Sequence, residues 1–204
     1  MTLASFHHPL LWRGQGEAKS EVTMAVKEVL TKYSKEQIRK AAQIKAIFFD
    51  VDGVLTDGRI IYDETGKEIK NFNVKDGYII SHLKKAGILV GIITGRDSKV
   101  VSNRAAELKL DFCHQGIMDK FSVFEKLVAF HKLKKKQVAY IGDDINDLRV
   151  LRACGLSACP ADTFDYIKKE VDIVTESKGG QGVVREISDF VLASQGVLDK
   201  ILKS

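Results

Sequence analysis

Short apolar runs alternate with amphipathic helical patterns along most of this chain. The first run, IKAIFF, stops abruptly at Asp50, and later runs occupy residues 88–94, 137–141, 155–158 and 173–175. Between and after them, apolar residues recur at helical spacing over residues 76–86, 97–108, 119–132, 144–152 and 182–193. This alternation predicts βαβ units with right-handed crossovers. We therefore expect an α/β fold: a doubly wound, Rossmann-like parallel sheet with helices on both faces.

Residues 58–74 (GRIIYDETGKEIKNFNV) interrupt the alternation. Two strand-like runs flank a turn at residues 63–66, which predicts a β-hairpin inserted directly after the first strand. Apart from this hairpin, the interval before Thr94 and the interval from Thr94 to Lys120 are too short for a second folded domain. We therefore expect no separate domain above the sheet.

The chain divides into three predicted segments. Residues 1–22 lack a clear periodicity and are expected to form a weakly ordered N-terminal extension. Residues 23–43 are expected to form an N-terminal helical segment, with a capping box in the sequence SKEQ at residues 34–37. Residues 44–204 then make up one α/β domain.

The charge balance is mildly basic, with a net charge of +5 and a pI near 9.0. Basic residues are interspersed with acids, and the densest run, Lys132–Lys136, follows a helical pattern whose C-terminus favours cations. We expect a solvated helix end there and no nucleic acid partner, with a polyanion site as the alternative.

The cysteines indicate a reducing compartment. Cys113, Cys154 and Cys159 are odd in number and lack CxxC spacing, so we expect packing residues and a cytoplasmic location. No apolar stretch approaches the roughly 18 residues needed to cross a bilayer. The N-terminal residues also lack the pattern of a signal peptide, and we expect no membrane partner.

The residues that carry chemistry follow the apolar runs, where open α/β sheets bind their ligands. In chain order the candidates are Asp50, Asp52, Thr94, Gly95, Arg96, Lys120, Asp143, Asp144 and Asp147. Two carboxylates about 4 Å apart repel by about 4 kcal/mol near the surface of a protein. Raised pKa values or a metal ion must offset that repulsion. Oxygen ligands without histidine or thiolate favour Mg²⁺.

A carboxylate surrounded by Mg²⁺, a hydroxyl and a lysine favours phosphoryl transfer. Asp50 is the expected nucleophile, because a carboxylate is anionic at pH 7 without help from a base. Mg²⁺ and Lys120 would offset its repulsion by an anionic phosphate. Asp52 would protonate the leaving oxygen and then deprotonate the attacking water. The predicted activity is a Mg²⁺-dependent phosphatase that forms an aspartyl phosphate on Asp50.

Four segments in order resemble the motifs of haloacid dehalogenase superfamily phosphatases: DVDGVLTDG (50–58), IITGR (92–96), Lys120 and GDDINDL (142–148). Further features resemble the capless 3-deoxy-D-manno-octulosonate 8-phosphate phosphatases within that superfamily: the DxDGxxTDG form, the hairpin, KDGY (75–78) and GGQGVVRE (179–186). The resemblance spans residue 44 to the C-terminus. It implies a haloacid dehalogenase-like fold without a cap domain.

The resemblance also implies a metal site and a nucleophile. Asp50 would be both the nucleophile and a metal ligand. Asp52 would be the acid and base, while its carbonyl binds the metal, and Asp143 would be the third protein ligand to Mg²⁺. Asp144 and Asp147 would orient a metal-bound water and Lys120.

Substrate contacts follow from the same resemblance. Thr94 and Gly95 would hold the phosphate together with Lys120. Arg96 would face the carboxylate of a sugar acid. Members that act on the eight-carbon acid have arginine at this position, and nine-carbon relatives can have glutamate. We therefore predict hydrolysis of 3-deoxy-D-manno-octulosonate 8-phosphate, a step that the resemblance places in lipopolysaccharide synthesis.

Relatives of this type are similar to one another in forming homotetramers, whose hairpins close over neighbouring active sites. The apolar hairpin residues Ile60, Ile61, Ile69 and Phe72 suit such an interface, because a lone hairpin is marginal in water. Packing of the hairpin on its own domain is the alternative.

Other interpretations stay open on the sequence alone. Lys120 could be a surface lysine, Arg96 an exposed helix residue, and Asp144 and Asp147 acids favoured by a helix N-terminus. GGQGVVRE could be an ordinary turn into the last helix. Alternative functions are a phosphatase of a nine-carbon sugar acid or of broad specificity, a receiver-like switch phosphorylated on aspartate, and a catalytically silent homologue.

Overall fold

The computed structural model describes residues 24–203 and contains a six-stranded parallel sheet. Its strands are β1 (Ala46–Phe49), β4 (Leu89–Ile93), β5 (Phe112–His114), β6 (Val138–Ile141), β7 (Leu156–Cys159) and β8 (Ile173–Val174). Their spatial order is β5-β4-β1-β6-β7-β8. Two further strands, β2 (Ile61–Tyr62) and β3 (Glu68–Ile69), pair antiparallel in a separate hairpin.

Helices connect the strands as the periodicity predicts. They are α1 (24–31), α2 (Lys35–Ala41), α3 (Val74–Lys85), α4 (Lys99–Glu107), α5 (Lys120–Phe130), α6 (Leu148–Ala153), α7 (Asp165–Lys168), α8 (Val183–Ser194) and α9 (Leu198–Leu202). The predicted doubly wound fold is confirmed. Helices α7 and α9 are too short to produce a clear apolar period and were not predicted. The predicted extension over residues 1–22 lies outside the described residues.

The capping box predicted at residues 34–37 opens α2. The Ser34 hydroxyl accepts a hydrogen bond from the Gln37 N–H at 3.2 Å, and the Gln37 side chain accepts one from the Ser34 N–H at 2.7 Å. These bonds satisfy two donors that a helix N-terminus otherwise leaves free. Helix α2 then packs against α8, and side chains of α1 such as Leu30 pack on the same core.

The sheet separates two hydrophobic cores. In β1, Ile47 and Phe49 pack into the core beneath α3 and α8, whereas Ala46 and Phe48 pack into the core beneath α5 and α6. Because both faces of the strand are covered, its residues form a continuous apolar run instead of an alternating one. This arrangement is the reason that the sequence IKAIFF predicts a parallel strand.

The strand order reverses between β1 and β6. The chain leaves β1 toward β4 on one side and leaves β6 toward β7 on the other. The loops after β1 and β6 therefore diverge and open a crevice at the carboxyl ends of these two strands, where doubly wound sheets bind ligands. The acidic candidate Asp50 follows β1 directly, and Asp143 follows β6 after one glycine, Gly142.

The hairpin is shorter than the predicted range of residues 58–74. Its two strands have two residues each, and Val74 is already the first residue of α3. Asn73 ends the hairpin because its side chain accepts a hydrogen bond from the Lys75 N–H at 2.9 Å and caps the helix. Over residues 24–203, this hairpin is the only β-insertion above the sheet, and no separate cap domain is present.

A membrane-spanning helix must be both long and apolar. Within residues 24–203, none of the helices meets both requirements.

Candidate active site

A buried lysine joins three segments at the carboxyl ends of the strands. The Lys120 ammonium, at the start of α5, donates a hydrogen bond to Asp50 Oδ2 at 2.5 Å and another to Asp147 Oδ1 at 2.8 Å. Lys120 is 1% exposed, so its charge depends on these two carboxylates for stabilisation. Lys120 is therefore not a surface lysine.

Asp147 is held from several directions. Besides Lys120, the Tyr140 hydroxyl donates a hydrogen bond to its Oδ1 at 2.5 Å. The backbone N–H groups of Asp143 and Asp144 donate to its Oδ2 at 3.2 and 3.3 Å. Because these donors occupy both oxygens, Asp147 fixes the position of Lys120 and of the turn after β6.

Asp143 has an unmatched oxygen. Its Oδ1 is buried and has no hydrogen-bond partner among the described residues. One carboxylate oxygen from each of Asp50, Asp143 and Asp147 lies within 4.8 Å of the others. A buried carboxylate oxygen without a donor is costly unless a cation lies beside it.

The cluster shifts the ionisation of its members. Burial and the neighbouring Asp147 carboxylate raise the pKa of Asp50 to about 6, although Lys120 opposes this shift. Burial and the nearby Asp50 carboxylate raise the pKa of Asp143 to about 8. Burial alone would lower the pKa of Lys120, but Asp50 and Asp147 outweigh it and raise that pKa. The excess of carboxylates over cations agrees with the predicted need for a metal ion.

The donor set fits a hard divalent cation. Asp50 and Asp143 supply carboxylate oxygens, and neither histidine nor cysteine joins the cluster within the described part of the chain. Oxygen ligands of this kind suit Mg²⁺. Asp147 is the less available member, because Lys120, Tyr140 and two backbone N–H groups already bind it.

A glycine allows the loop after β1 to approach Asp143. Gly53 has a φ of +84°, and a Cβ added to it would lie 2.0 Å from Asp143 Oδ2. An L-residue would therefore be strained there and would also displace the carboxylate. This explains why the DxDG sequence needs glycine after Asp52.

A cleft of about 250 Å³ opens above the cluster. Its lining residues are Asp50, Asp52, Gly53, Gly58, Thr94, Gly95, Arg96, Asp143, Asp144 and Asn146. Thr94 is 2% exposed and is held by the sheet, since its N–H donates to the His114 carbonyl at 2.9 Å. A larger cleft of about 780 Å³ lies at the amino ends of the strands, but no acidic side chain lines it.

Asp52 and Arg96 contact the hairpin. Lys70, which follows β3, donates a hydrogen bond to Asp52 Oδ1. The Arg96 guanidinium donates to Glu68 Oε1 at 2.8 Å, and its Nε lies 3.9 Å from Asp52 Oδ2. The hairpin thus contacts the cleft of its own chain through two charged residues.

The hairpin's apolar residues divide into two groups. Ile60, Ile61 and Ile69 are 59%, 41% and 47% exposed. Phe72 is half-buried, packs on the core of its own domain and lies beneath the Arg104 guanidinium, 5.7 Å from the ring centre. The packing of Phe72 therefore agrees with the alternative expectation, in which the hairpin packs on its own domain.

Of the two acids expected to orient a metal-bound water and Lys120, Asp147 is the one that binds Lys120, and Asp144 caps a turn. Its side chain accepts a hydrogen bond from the Ile145 N–H at 2.7 Å and caps a short 3₁₀ turn, Ile145–Asp147. Lys120 donates to Asp50 and Asp147 instead. Asp144 is exposed and lines the cleft, and its role in orienting a metal-bound water stays a prediction.

The KDGY and GGQGVVRE motifs meet in space. Asp76 accepts a hydrogen bond from the Arg185 N–H at 2.7 Å and thereby caps α8, whose own N-cap residue is a glycine without a side chain. The Gly180 N–H donates to the Val54 carbonyl at 3.0 Å, so the glycine loop braces the loop that carries Asp52. The GGQG segment is more than a turn into the last helix.

Sequence reasoning missed three groups at the site. Tyr140 lies inside an apolar strand, where its ring suggests only packing, and Glu68 and Lys70 belong to a hairpin whose direction the sequence does not fix. The one available signal was the phenolic hydroxyl of Tyr140, because a buried tyrosine hydroxyl usually finds a partner.

Comparisons with known proteins agree with this geometry. A family model described as haloacid dehalogenase-like hydrolase matches residues 110–187. The chain is 41% identical over 167 residues to the 3-deoxy-D-manno-octulosonate 8-phosphate phosphatase KdsC of Escherichia coli K12, and the match covers 82% of this chain and 89% of that protein.

Solved structures show the same likeness. The Moraxella catarrhalis 3-deoxy-D-manno-octulosonate 8-phosphate phosphatase, in complex with magnesium, phosphate and KDO, has a TM-score of 0.82 at 37% identity, covering 84% of this chain and 98% of that one. The cobalt-bound Haemophilus influenzae enzyme has a TM-score of 0.75 at 42% identity, covering 78% and 93%. The chain belongs to the 3-deoxy-D-manno-octulosonate 8-phosphate phosphatase family of haloacid dehalogenase-like hydrolases.

Proposed function

We propose that this protein hydrolyses 3-deoxy-D-manno-octulosonate 8-phosphate to 3-deoxy-D-manno-octulosonate and phosphate. The supporting observation is the Lys120 ammonium held between Asp50 and Asp147, beside an Asp143 oxygen that has no hydrogen-bond partner among residues 24–203. The relatives with this named activity, one of them bound to magnesium, phosphate and KDO, support the choice of substrate.

Asp50 is the nucleophile in this proposal. Its carboxylate attacks phosphorus, the bond from phosphorus to the sugar oxygen breaks, and an aspartyl phosphate forms. With a pKa of about 6, Asp50 is mostly ionised at neutral pH. The Lys120 ammonium, already 2.5 Å from Asp50, stabilises negative charge on the phosphoryl group.

Asp52 transfers the protons. It protonates the departing sugar oxygen and then accepts a proton from the water that cleaves the aspartyl phosphate, which restores Asp50 and releases phosphate. Thr94 and Gly95, on the wall of the cleft, bind the phosphoryl oxygens. Asp147 keeps Lys120 in place.

Mg²⁺ is the proposed cofactor. Asp50, Asp143 and the backbone carbonyl of Asp52 would hold it. When bound, it supplies positive charge that offsets the repulsion between Asp50 and the phosphate. The proposal is supported by the buried Asp143 oxygen, which has no partner in the described part of the chain, and by the metal-bound relatives.

Arg96 is the proposed partner of the sugar acid carboxylate. It lines the cleft beside Gly95, and its guanidinium already binds a carboxylate, that of Glu68. A guanidinium can bind a carboxylate through two parallel hydrogen bonds. A substrate carboxylate would therefore find a donor oriented for this role.

We also propose a cytoplasmic homotetramer. The hairpin residues Ile60, Ile61 and Ile69 are apolar and exposed, which supports the assembly. An interface between copies would cover them. The free cysteines, of which Cys159 is buried, agree with a reducing compartment. Sedimentation of the purified full-length protein measures the assembly directly.

A phosphate-release screen tests the function. The eight-carbon sugar acid phosphate, a nine-carbon sugar acid phosphate and p-nitrophenyl phosphate are compared with Mg²⁺ and with a chelator. We expect the highest kcat/KM for the eight-carbon substrate and loss of turnover with the chelator, restored by Mg²⁺. Preference for the nine-carbon substrate, or equal turnover of all three, would contradict the proposed substrate. Phosphorylation without steady release would indicate a receiver-like switch.

A further inference from the structure

Lys70 is the most deeply buried charged residue of the hairpin. Its side chain is 1% exposed, although it belongs to a short excursion above the sheet. A buried ammonium is stable only with anionic partners. Among the residues that the structure describes, its anionic partners are Asp52, whose Oδ1 accepts its hydrogen bond, and Glu68, whose Oε1 lies 3.3 Å from Lys70 Nζ.

Glu68 anchors this lysine to the body of the domain. Its Oε1 accepts a hydrogen bond from Arg96 at 2.8 Å, and its Oε2 accepts one from the Ser98 hydroxyl at the start of α4. Both oxygens of Glu68 are therefore fixed by residues that follow β4. Through Glu68, the position of Lys70 is set by the sheet and not by the hairpin alone.

Asp52 depends on Lys70 for its orientation. Over residues 24–203, Lys70 is the only group that donates a hydrogen bond to the Asp52 carboxylate. The other nearby cation, Arg96, has its Nε 3.9 Å from Asp52 Oδ2, which is an ion pair without a hydrogen bond. Asp52 follows the end of β1, where the strand no longer sets the direction of the side chain.

We propose that Lys70 is a positioning residue for the phosphatase reaction: by binding Oδ1 of Asp52 it holds the carboxyl group where it gives its proton to the leaving oxygen. The inference rests on the proposed function, in which Asp52 is the acid and base. Lys70 takes no part in the proton transfer: the transferred proton travels only between Asp52, the sugar oxygen and water.

The leaving group separates this role from a purely structural one. A sugar alkoxide departs only when an acid protonates it, whereas p-nitrophenolate departs without a proton. A residue that acts through Asp52 therefore affects the first turnover of a sugar phosphate more than that of p-nitrophenyl phosphate. A residue that only supports the fold or the assembly affects both equally.

Lys70→Met is the decisive variant, and Lys67→Met is its matched control. Lys67 is an exposed lysine in the same hairpin, so its loss changes the charge equally without touching Asp52. Lys70→Arg keeps a cationic donor at the position. Should Lys70→Met not fold, as judged by its melting temperature, Lys70→Gln is measured in its place with the same expectations.

We expect Lys70→Met to lower kcat and the first-turnover rate on the sugar acid phosphate at least about tenfold, with KM changed less than about threefold. First-turnover release of p-nitrophenolate should fall less than about threefold. Lys67→Met should match the wild type, and Lys70→Arg should recover part of the loss.

Three outcomes overturn the proposal: equal losses on both substrates, a raised KM with unchanged kcat, or kinetics like those of Lys67→Met. A raised KM with unchanged kcat would make Lys70 a sugar-binding residue. Equal losses on both substrates, together with a lower mass of the variant in sedimentation, would make Lys70 a residue that supports the assembly. A wild-type protein that releases no phosphate from the sugar acid phosphate would contradict the proposed function instead.

Discussion

The Lys120 ammonium binds Asp50 and Asp147, which lie 70 and 27 residues away from it in the sequence. These contacts join the end of β1, the start of α5 and the turn after β6 around one buried charge. Since each carboxylate stabilises the lysine and the lysine stabilises both, a change in one group alters the ionisation of the others.

Tyr140→Phe tests the hydrogen bond that supports Asp147. The phenolic hydroxyl lies 2.5 Å from Asp147 Oδ1 in a fully buried position. Its loss should lower the free energy of unfolding by about 2 kcal/mol, because the bond is to a charged group. It should also lower kcat by roughly tenfold, since Asp147 then holds Lys120 less firmly.

Denaturant unfolding and steady-state kinetics measure both effects for Tyr140→Phe. Tyr166→Phe is the control, because Tyr166 is 49% exposed and lies in α7, whereas Asp147 receives its tyrosine hydrogen bond from Tyr140. Equal stability and equal kcat in the two variants would remove Tyr140 from the support of the site.

Gly53→Ala tests the close approach between the loop after β1 and Asp143. The added methyl group would lie 2.0 Å from Asp143 Oδ2. It should displace that carboxylate and weaken Mg²⁺ binding by at least about tenfold. The positive φ of Gly53 adds a strain of about 1–2 kcal/mol.

Gly66→Ala separates the strain from the clash. Gly66 has a φ of +80° at the hairpin turn, and an added Cβ would meet no atom of residues 24–203 within 4 Å. Gly66→Ala should lose about as much stability as the strain at a positive φ costs. It should keep the Mg²⁺ affinity of the wild type, which calorimetry measures. Wild-type Mg²⁺ affinity in Gly53→Ala would show that Asp143 does not depend on this approach.

Asp76→Asn tests a buried carboxyl group away from the metal site. Burial raises the pKa of Asp76 to about 6 from its ordinary value of 3.8, and its Oδ2 has no hydrogen-bond partner among the described residues. Because the folded-state pKa is the higher one, the folded protein prefers the protonated form. Its contribution to stability is fully present below pH 4 and is lost as the pH rises through 6.

The asparagine variant lacks this titration but keeps an oxygen for the Arg185 N–H. The stability of the wild type relative to Asp76→Asn should therefore fall by up to about 3 kcal/mol between pH 4 and pH 7. Denaturant unfolding at several pH values measures the difference. A constant or rising difference would contradict the raised pKa.

Arg96→Gln tests recognition of the sugar acid. Loss of the guanidinium should raise KM for the eight-carbon sugar acid phosphate at least about tenfold, since a charged hydrogen bond to the substrate carboxylate is lost. KM for p-nitrophenyl phosphate, which has no carboxylate, should change less. Equal effects on both substrates would mean that Arg96 serves only its contacts with Glu68 and Asp52.

The sequence predicted those parts of the molecule that follow from local pattern. The run IKAIFF predicted β1 because both of its faces are buried, and the acids after β1 and β6 were expected together because parallel strands end at one edge. The capping box at residues 34–37 was predicted because all of its donors and acceptors lie within four residues.

Contacts between distant segments were less predictable. The packing of Tyr140 beneath Asp147 depends on the fold of the turn after β6, which the strand pattern does not specify. The pairing of Lys70 with Asp52 depends on the direction in which the hairpin leaves β1. The cap that Asp76 places on α8 joins residues more than a hundred positions apart, beyond any local periodicity.

The central claim is that Asp50 carries the phosphoryl group during turnover. Acid-quenched samples of the full-length protein with Mg²⁺ and the sugar acid phosphate can be digested and analysed by mass spectrometry, using Asp52→Asn to slow hydrolysis of the intermediate. We predict one phosphoryl group on Asp50 in that variant, and no label and no turnover in Asp50→Asn. Turnover by folded Asp50→Asn, or a label on another residue, would contradict the account.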